Sequence, residues 1–337
     1  MDENNLIRIP EPALNDFCIG VLTKLGVPRD DAKIVADNLI AADLRGVGSH
    51  GVVRLPIYIK RLIDGGTNAR PDIITVRQTR TTAVVEGHNG LGHLVGVRAM
   101  EVAIKKASDG DCVFVAVRNS NHFGAAAYYA EMAARNGMIG LVFTIGAIDH
   151  MAPWGGAEAV LGNNPLAVAF PAPGDFPIVL DMACSVAARG KIIVAAKEGK
   201  PIPVGWATGP DGLPTTNAAE ALKGVVVPVG GPKGYALTLT VGLLSTMLSG
   251  AFFGRDVGDL YEKTSEPQNS GHLFGVLPVA AFDEQASYAA RMRKGIDDIK
   301  GVRRAPGSEQ VFLPGEQEYL AKLVNLADGV PIGRLGR

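Results

Sequence analysis

The chain has 337 residues, 47% of them hydrophobic and 20% charged, enough apolar material for one large α/β domain or two to three intertwined lobes. Its formal net charge is -1, so no cationic excess exists to neutralise a phosphate backbone, and nucleic-acid binding is excluded as a function class. Cys18, Cys112 and Cys184 are scattered and odd in number, which points to a reducing compartment rather than a disulfide framework. The acidic start MDENNLIRIPEP lacks the build of a signal peptide. The longest apolar run, 235–253, is broken by Thr, Ser and Gly, short of the roughly 20 clean residues of a membrane span. A cytoplasmic soluble protein is expected.

In chain order, apolar residues at three- and four-residue spacing predict helices over 11–25 and 29–44, separated by Gly26-Val27-Pro28. Strand-like runs follow at 73–76 and 82–86, then a helix near 95–108. Strand 112–117, helix 123–136 and strand 139–145 have the look of a βαβ unit with short connections. Pro- and Gly-rich loops at 154–165 and 171–176 frame strands at 166–170 and 177–181. Helices are predicted at 186–198, 235–249, 283–299 and 315–325, with a strand at 273–279. The class is α/β, without the strict alternation of a doubly wound sheet.

Gly90, Gly92 and Gly96 imitate a dinucleotide-binding GxGxxxG loop, but the acidic residue due at the end of the next strand is missing; that strand ends at Arg118-Asn119. The segment therefore reads as a glycine-rich turn packed closely on a neighbour. Two other clusters carry chemistry. In Ser49-His50-Gly51-Val52-Val53-Arg54-Leu55-Pro56-Ile57-Tyr58, a helix resuming after Gly51 would put His50, Arg54 and Tyr58 on one face. There an imidazole titrating near neutrality and a planar guanidinium could hold a small carboxylic acid and protonate the adjacent oxygen; the bland alternative is an ordinary amphipathic surface.

The second cluster, Asn119-Ser120-Asn121-His122, follows an apolar strand and opens a helix, the strand end where α/β proteins place ligands. It holds more polar side chains than capping requires. His122 is a candidate proton donor or a neighbour of a nicotinamide ring. Asp181, ending a strand, could orient a histidine, hold a substrate hydroxyl or cap a helix. Lys233, in a glycine-rich turn before a helix, suits a phosphate or a ribose hydroxyl. The six histidines show no metal-ligand spacing, no GxSxG elbow is present, and Cys184 reads as a small buried hydrophobe.

Stretches 45–66, 119–144, 153–171, 177–192, 205–216 and 231–245 together resemble, in order, the type-2 malate/L-lactate dehydrogenase family, which includes reductases of cyclic imine 2-carboxylates. The resemblance implies a homodimer with a non-Rossmann, three-layer, L-sulfolactate dehydrogenase-like fold: a mixed central sheet and a helical N-terminal region. It implies a helical region 1–70 packing with 273–337, and an NAD(P)-binding domain at 71–272. By the same resemblance, Ser49, Arg54 and Tyr58 bind substrate, and His50, His122 and Asp181 are catalytic candidates. His122, Thr144, Asp181, Met182, Ala183 and Lys233 would line an NAD or NADP cofactor, with Pro306–Glu309, centred on Gly307 and Ser308, a further candidate. Gly146 departs from the serine that touches the cofactor in ureidoglycolate dehydrogenase. The expected reaction is hydride transfer between a small 2-oxo acid and its 2-hydroxy acid. Reduction of a cyclic imine 2-carboxylate and a non-catalytic ligand-binding role are the alternatives.

Overall fold

The computed structural model describes residues 6–146 and 149–333. After strand β1 (Leu6–Ile9), helices α1 (Glu11–Lys24) and α2 (Arg29–Leu44) each start behind a proline, Pro10 and Pro28, with acidic residues in the first turn. Proline fixes φ and has no N–H to leave unpaired, and the acids complement the helix dipole, so both starts are sharp. Two single 3₁₀ turns (Gly48–His50 and Val52–Arg54) lead into α3 (Leu55–Asp64), which stops at Gly65 with φ 84°. Helix therefore does not run through Gly51. The Asp43 carboxylate accepts the Val52 N–H at 2.7 Å, and any Cβ on Gly51 would lie 1.9 Å from Asp43 Oδ1, so the chain pivots there and sets His50 off the helical run that carries Arg54 and Tyr58.

The chain continues through β2 (Ile74–Gln78), β3 (Thr82–Glu86), α4 (Gly92–Ala107), β4 (Val113–Ser120), α5 (Ala126–Ala134), β5 (Met138–Thr144), β6 (Leu166–Phe170) and β7 (Ile178–Met182). It then passes α6 (Arg189–Lys197), β8 (Ala207–Thr208), β9 (Pro214–Thr215), α7 (Ala218–Lys223), α8 (Pro232–Thr246), β10 (Ser270–Pro278), α9 (Gln285–Lys300), α10 (Glu316–Asp328) and β11 (Val330–Gly333). A seven-stranded mixed sheet has the order β2-β3-β4-β10-β5-β6-β7. β4 and β5 point the same way, as a βαβ unit requires, but they are not neighbours: β10 runs antiparallel between them, paired to both. A boundary at residue 273 would thus cut the central strand of the sheet. β10 is buried along nearly its whole length. Gly275 makes room in it, since a Cβ there would meet Phe114 at 2.7 Å.

Successive side chains of β10 face opposite layers. Phe274 and Val276 join Val113, Val115, Val117, Val142 and the inner faces of α4 and α5 in the main core, while Gly271 lies against α8 on the other side. Outside α4 and α5 lies a further layer, α1 and α2, with its own core around Leu22, Val35, Leu39, Leu55 and Tyr58. α10 returns to pack on α2, and β11 pairs antiparallel with β1, closing the C-terminus onto the N-terminus. A satellite core around Met151, Leu161, Ile192 and Val226 gathers α6 and α7. The glycine-rich segment is a tight packing site: a Cβ on Gly92 would lie 2.1 Å from Asn121 O, and one on Gly96 2.7 Å from the Tyr129 ring. Among the described residues no helix is long and apolar enough to cross a membrane.

Candidate active site

Because β5, β6 and β7 alternate in direction and β10 opposes both β4 and β5, the strands β4, β5 and β7 all end at one edge of the sheet. That edge borders a cavity of about 850 Å³, large enough for a cofactor and a small substrate together. Its wall takes His122 from the turn after β4, Thr144 to Gly146 from the end of β5, and Asp181, Met182 and Ala183 from the end of β7. Ser49 and His50 reach it from the turn after α2, and Phe312 to Gly315 close it from the segment before α10.

The turn after β4 is irregular, not the opening of a helix. Gly124 has φ 79°, Phe123 is buried against the rings of Tyr129 and His272, and α5 begins only at Ala126. Three of the four polar side chains in Asn119–His122 are struts. Asn119 donates to Glu86, and the Ser120 hydroxyl meets His272 Nε2 at 2.9 Å. Asn121, 4% exposed, donates to Asn89 and to Gly90 O. Only His122 turns toward the cavity.

His122 is held from behind. Its Nδ1 lies 2.7 Å from the hydroxyl of Tyr58, a buried residue of α3, and its ring stacks on that of His50 with centroids 5.8 Å apart. Tyr58 is therefore spent on orienting an imidazole and does not line the cavity. Burial holds His122 well below the ordinary imidazole value, and crowding by the neighbouring imidazoles His50 and His93 and the Arg54 guanidinium further opposes its protonation. His50, whose Nδ1 meets Ser49 Oγ at 2.9 Å, is depressed to about 4, again mainly by burial and then by Arg54. Both rings are neutral at pH 7. Tyr58 is pushed upward by burial and stays protonated.

Asp181 orients no histidine. Its Oδ2 accepts the Ala127 N–H at 2.9 Å and so caps α5, whose own N-cap residue, Ala125, has no side-chain acceptor. Desolvation along the cavity wall nonetheless raises the Asp181 carboxyl to about 6. Thr144 Oγ1 lies 2.6 Å from Nδ1 of His272, a wholly buried residue of β10. Arg54 stands beside the cavity: its Nε donates to Ser49 O at 2.6 Å and its guanidinium lies over the ring of Tyr261.

Three expected cofactor residues lie off the cavity of a single chain. Lys233 is exposed in the first turn of α8, and Gly307 and Ser308 sit in the exposed stretch 301–310, where the Ser308 hydroxyl donates to Gln310 O. Conversely, Phe312 to Gly315 line it although no sequence pattern marked them, and His93, whose ring meets Tyr58 edge-on, lies in a segment read only for its glycines. Among the described residues no group of three or more His, Cys, Asp or Glu side chains is placed to hold a metal ion.

Known proteins resemble this chain in sequence and fold. The family profile described as malate/L-lactate dehydrogenase matches residues 9–334. The malate dehydrogenase of Pyrococcus horikoshii is 44% identical over 98% of this chain and 93% of its own length. The solved sulfolactate dehydrogenase of Methanocaldococcus jannaschii superimposes with TM-score 0.91 and 41% identity, covering 97% of this chain and 94% of that one. The Δ1-piperideine-2-carboxylate reductase of Pseudomonas syringae pathovar tomato gives TM-score 0.82 at 27% identity, covering 97% and 96%. A profile spanning nearly the whole chain, with relatives of this closeness, makes the protein an oxidoreductase acting on a CH–OH group and a member of the malate/L-lactate dehydrogenase family.

Proposed function

We propose that this enzyme interconverts a small 2-hydroxy acid and its 2-oxo acid with NAD or NADP, and that His122 carries the proton. The observation that supports this most is the Tyr58 hydroxyl 2.7 Å from His122 Nδ1. If His122 Nδ1–H donates to the Tyr58 oxygen, Nε2 is left as the free acceptor on the cavity side. A neutral imidazole is then ready to take the hydroxyl proton of a 2-hydroxy acid as its C–O bond becomes a carbonyl. In the reverse direction the same nitrogen returns that proton to the developing alkoxide. Arg54, with a fork complementary to a carboxylate, anchors the substrate's C1 acid group, and Ser49 and His50 flank it. When bound, the nicotinamide supplies the acceptor or donor of the C2 hydride. The lining fits its nucleoside half: Ile145, Met182 and Leu313 offer apolar walls, and the Asp181 carboxylate offers polar atoms to ribose hydroxyls.

Membership in the family and the exposed apolar side chains Leu243, Met247, Leu248 and Phe252, on and just beyond α8, support a homodimer, which light scattering at micromolar concentration tests. The unpaired Cys18, Cys112 and Cys184 fit the reducing cytoplasm. A nicotinamide-absorbance assay with oxaloacetate, pyruvate, sulfopyruvate and Δ1-piperideine-2-carboxylate, each with NADH and NADPH, tests the reaction. Turnover of a keto acid at the highest kcat/KM is expected. Turnover of the imine alone would replace this substrate class with the cyclic imino acid.

A further inference from the structure

Arg54 is an anchor only if its guanidinium is held still, and the structure shows how that is done. Its Nε edge is fixed on Ser49 O at 2.6 Å, and its carbon lies 5.7 Å from the centroid of the Tyr261 ring, within the reach of a cation–π contact. Among the described residues no acceptor meets Nη1 or Nη2. The pair that would form the two-point fork is thus left open.

Tyr261 belongs to an irregular segment, 259–266, which is fastened to α3 with unusual thoroughness. Asp259 Oδ1 accepts the N–H groups of Tyr261 and Glu262 at 2.6 and 2.8 Å, fixing the turn. Leu260, 2% exposed, is driven into the core that contains Leu55 and Tyr58. Arg61, 1% exposed, donates to the carbonyls of Asp259, Lys263 and Glu266 from α3, and reaches Gly66 O. Burying a guanidinium is costly unless its donors are paired, and here most of them are spent on this one segment. The same Arg61 contacts Asn121, the residue before His122. One buried cation thus braces the turn that carries the proton carrier and the segment that faces the anchor.

We infer that Tyr261 is a positioning residue for substrate binding, its ring face presenting the Arg54 fork to the substrate carboxylate while Arg61 holds Tyr261 in place. The inference rests on the reading of Arg54 as the carboxylate anchor. It is tested by steady-state kinetics with oxaloacetate and pyruvate, together with the NADH dissociation constant measured by fluorescence, for Tyr261→Leu, Tyr261→Phe, Tyr261→Trp and Arg54→Lys. Tyr261→Leu is expected to raise KM for the keto acid about 3–30-fold, the range that loss of a cation–π contact implies, with kcat within about twofold and NADH affinity unchanged. Phe and Trp, which keep the π face, should restore KM. Wild-type KM in Tyr261→Leu, equal damage in the Leu and Phe variants, or a parallel loss of NADH affinity would overturn it. Arg54→Lys separates the two claims: unchanged KM there removes the anchor itself, whereas a raised KM there beside a normal Tyr261→Leu removes only the role of Tyr261.

Discussion

His122 and His272 make an instructive pair. Each stands near the same edge of the sheet, each has Nδ1 within 2.7 Å of a hydroxyl, and each is depressed by burial, His272 to about 3. They differ in the second nitrogen. His272 Nε2 is taken by Ser120 Oγ at 2.9 Å, so both its nitrogens are used in joining β4 to β5 through β10. For His122 Nε2 no partner is found among the described residues, and the ring borders the cavity. A shifted pKa is common to both; the uncommitted nitrogen beside the cavity is what suits His122, and not His272, to the proposed proton transfer.

Exchanging the two roles gives the sharpest tests. Replacing His122 by Gln should lower kcat about 10²–10⁴-fold, the range for losing a placed acid–base group, with little change in melting temperature; a loss below tenfold would remove His122 as the proton carrier. His272→Phe should do the opposite. It keeps the stacking on Phe123 but leaves the buried Thr144 and Ser120 hydroxyls short of a partner, lowering stability by about 1–3 kcal/mol in urea unfolding. An unchanged midpoint would show that these bonds contribute nothing. Tyr58→Phe removes the hydroxyl behind His122 and should reduce kcat about 3- to 10-fold while leaving KM near wild type; no kinetic change would dissolve the orienting role.

Two pH profiles sharpen the same contrast. His122 is held neutral far below 6.5, so kcat/KM for oxidation of the 2-hydroxy acid should stay level from pH 8 down past 6.5 and fall only in more acid solution, where the base is protonated. A limb centred at 6.5 in the free enzyme would contradict the burial described. For stability the sign runs the same way. The folded His272 value, about 3, lies below the unfolded 6.5, so the unfolded chain binds the extra proton in that window. Stability is complete above 6.5 and declines as pH falls toward 3, at about 1.4 kcal/mol per pH unit. The slope of unfolding free energy against pH should flatten in His272→Phe.

Much of this was legible in the chain itself. β3, β6 and α2 fall where alternation, apolar runs and prolines put them, and the family signature named the cavity-lining His50, His122, Thr144, Asp181, Met182 and Ala183. What escaped depends on contacts distant in sequence. β10 enters between β4 and β5 from about 130 residues downstream, and no local pattern reports a strand's neighbours. The single helix expected to carry His50, Arg54 and Tyr58 is interrupted at Gly51, where the Asp43 carboxylate presses, so His50 reaches the His122 ring from a separate turn. Asn121 looked chemical because polar residues in such a turn draw attention; only the fold shows its amide spent on Asn89 and Gly90. Lys233 is the right residue type for a phosphate or ribose, and the resemblance points to Gly307 and Ser308, yet one chain alone does not bring them to the cavity.

The central strand also acts as a gauge. β10 pairs His272 with Thr144 on one side and Val117 on the other, so it fixes how far the tips of two non-adjacent strands project beyond the sheet. Deleting a single residue within it would shift its register against both neighbours by one strand step, about 3.3 Å, and would turn Phe274 from the core toward α8. The spacing of the cavity edge is therefore set in the middle of the molecule, by a strand that stands behind the lining rather than in it.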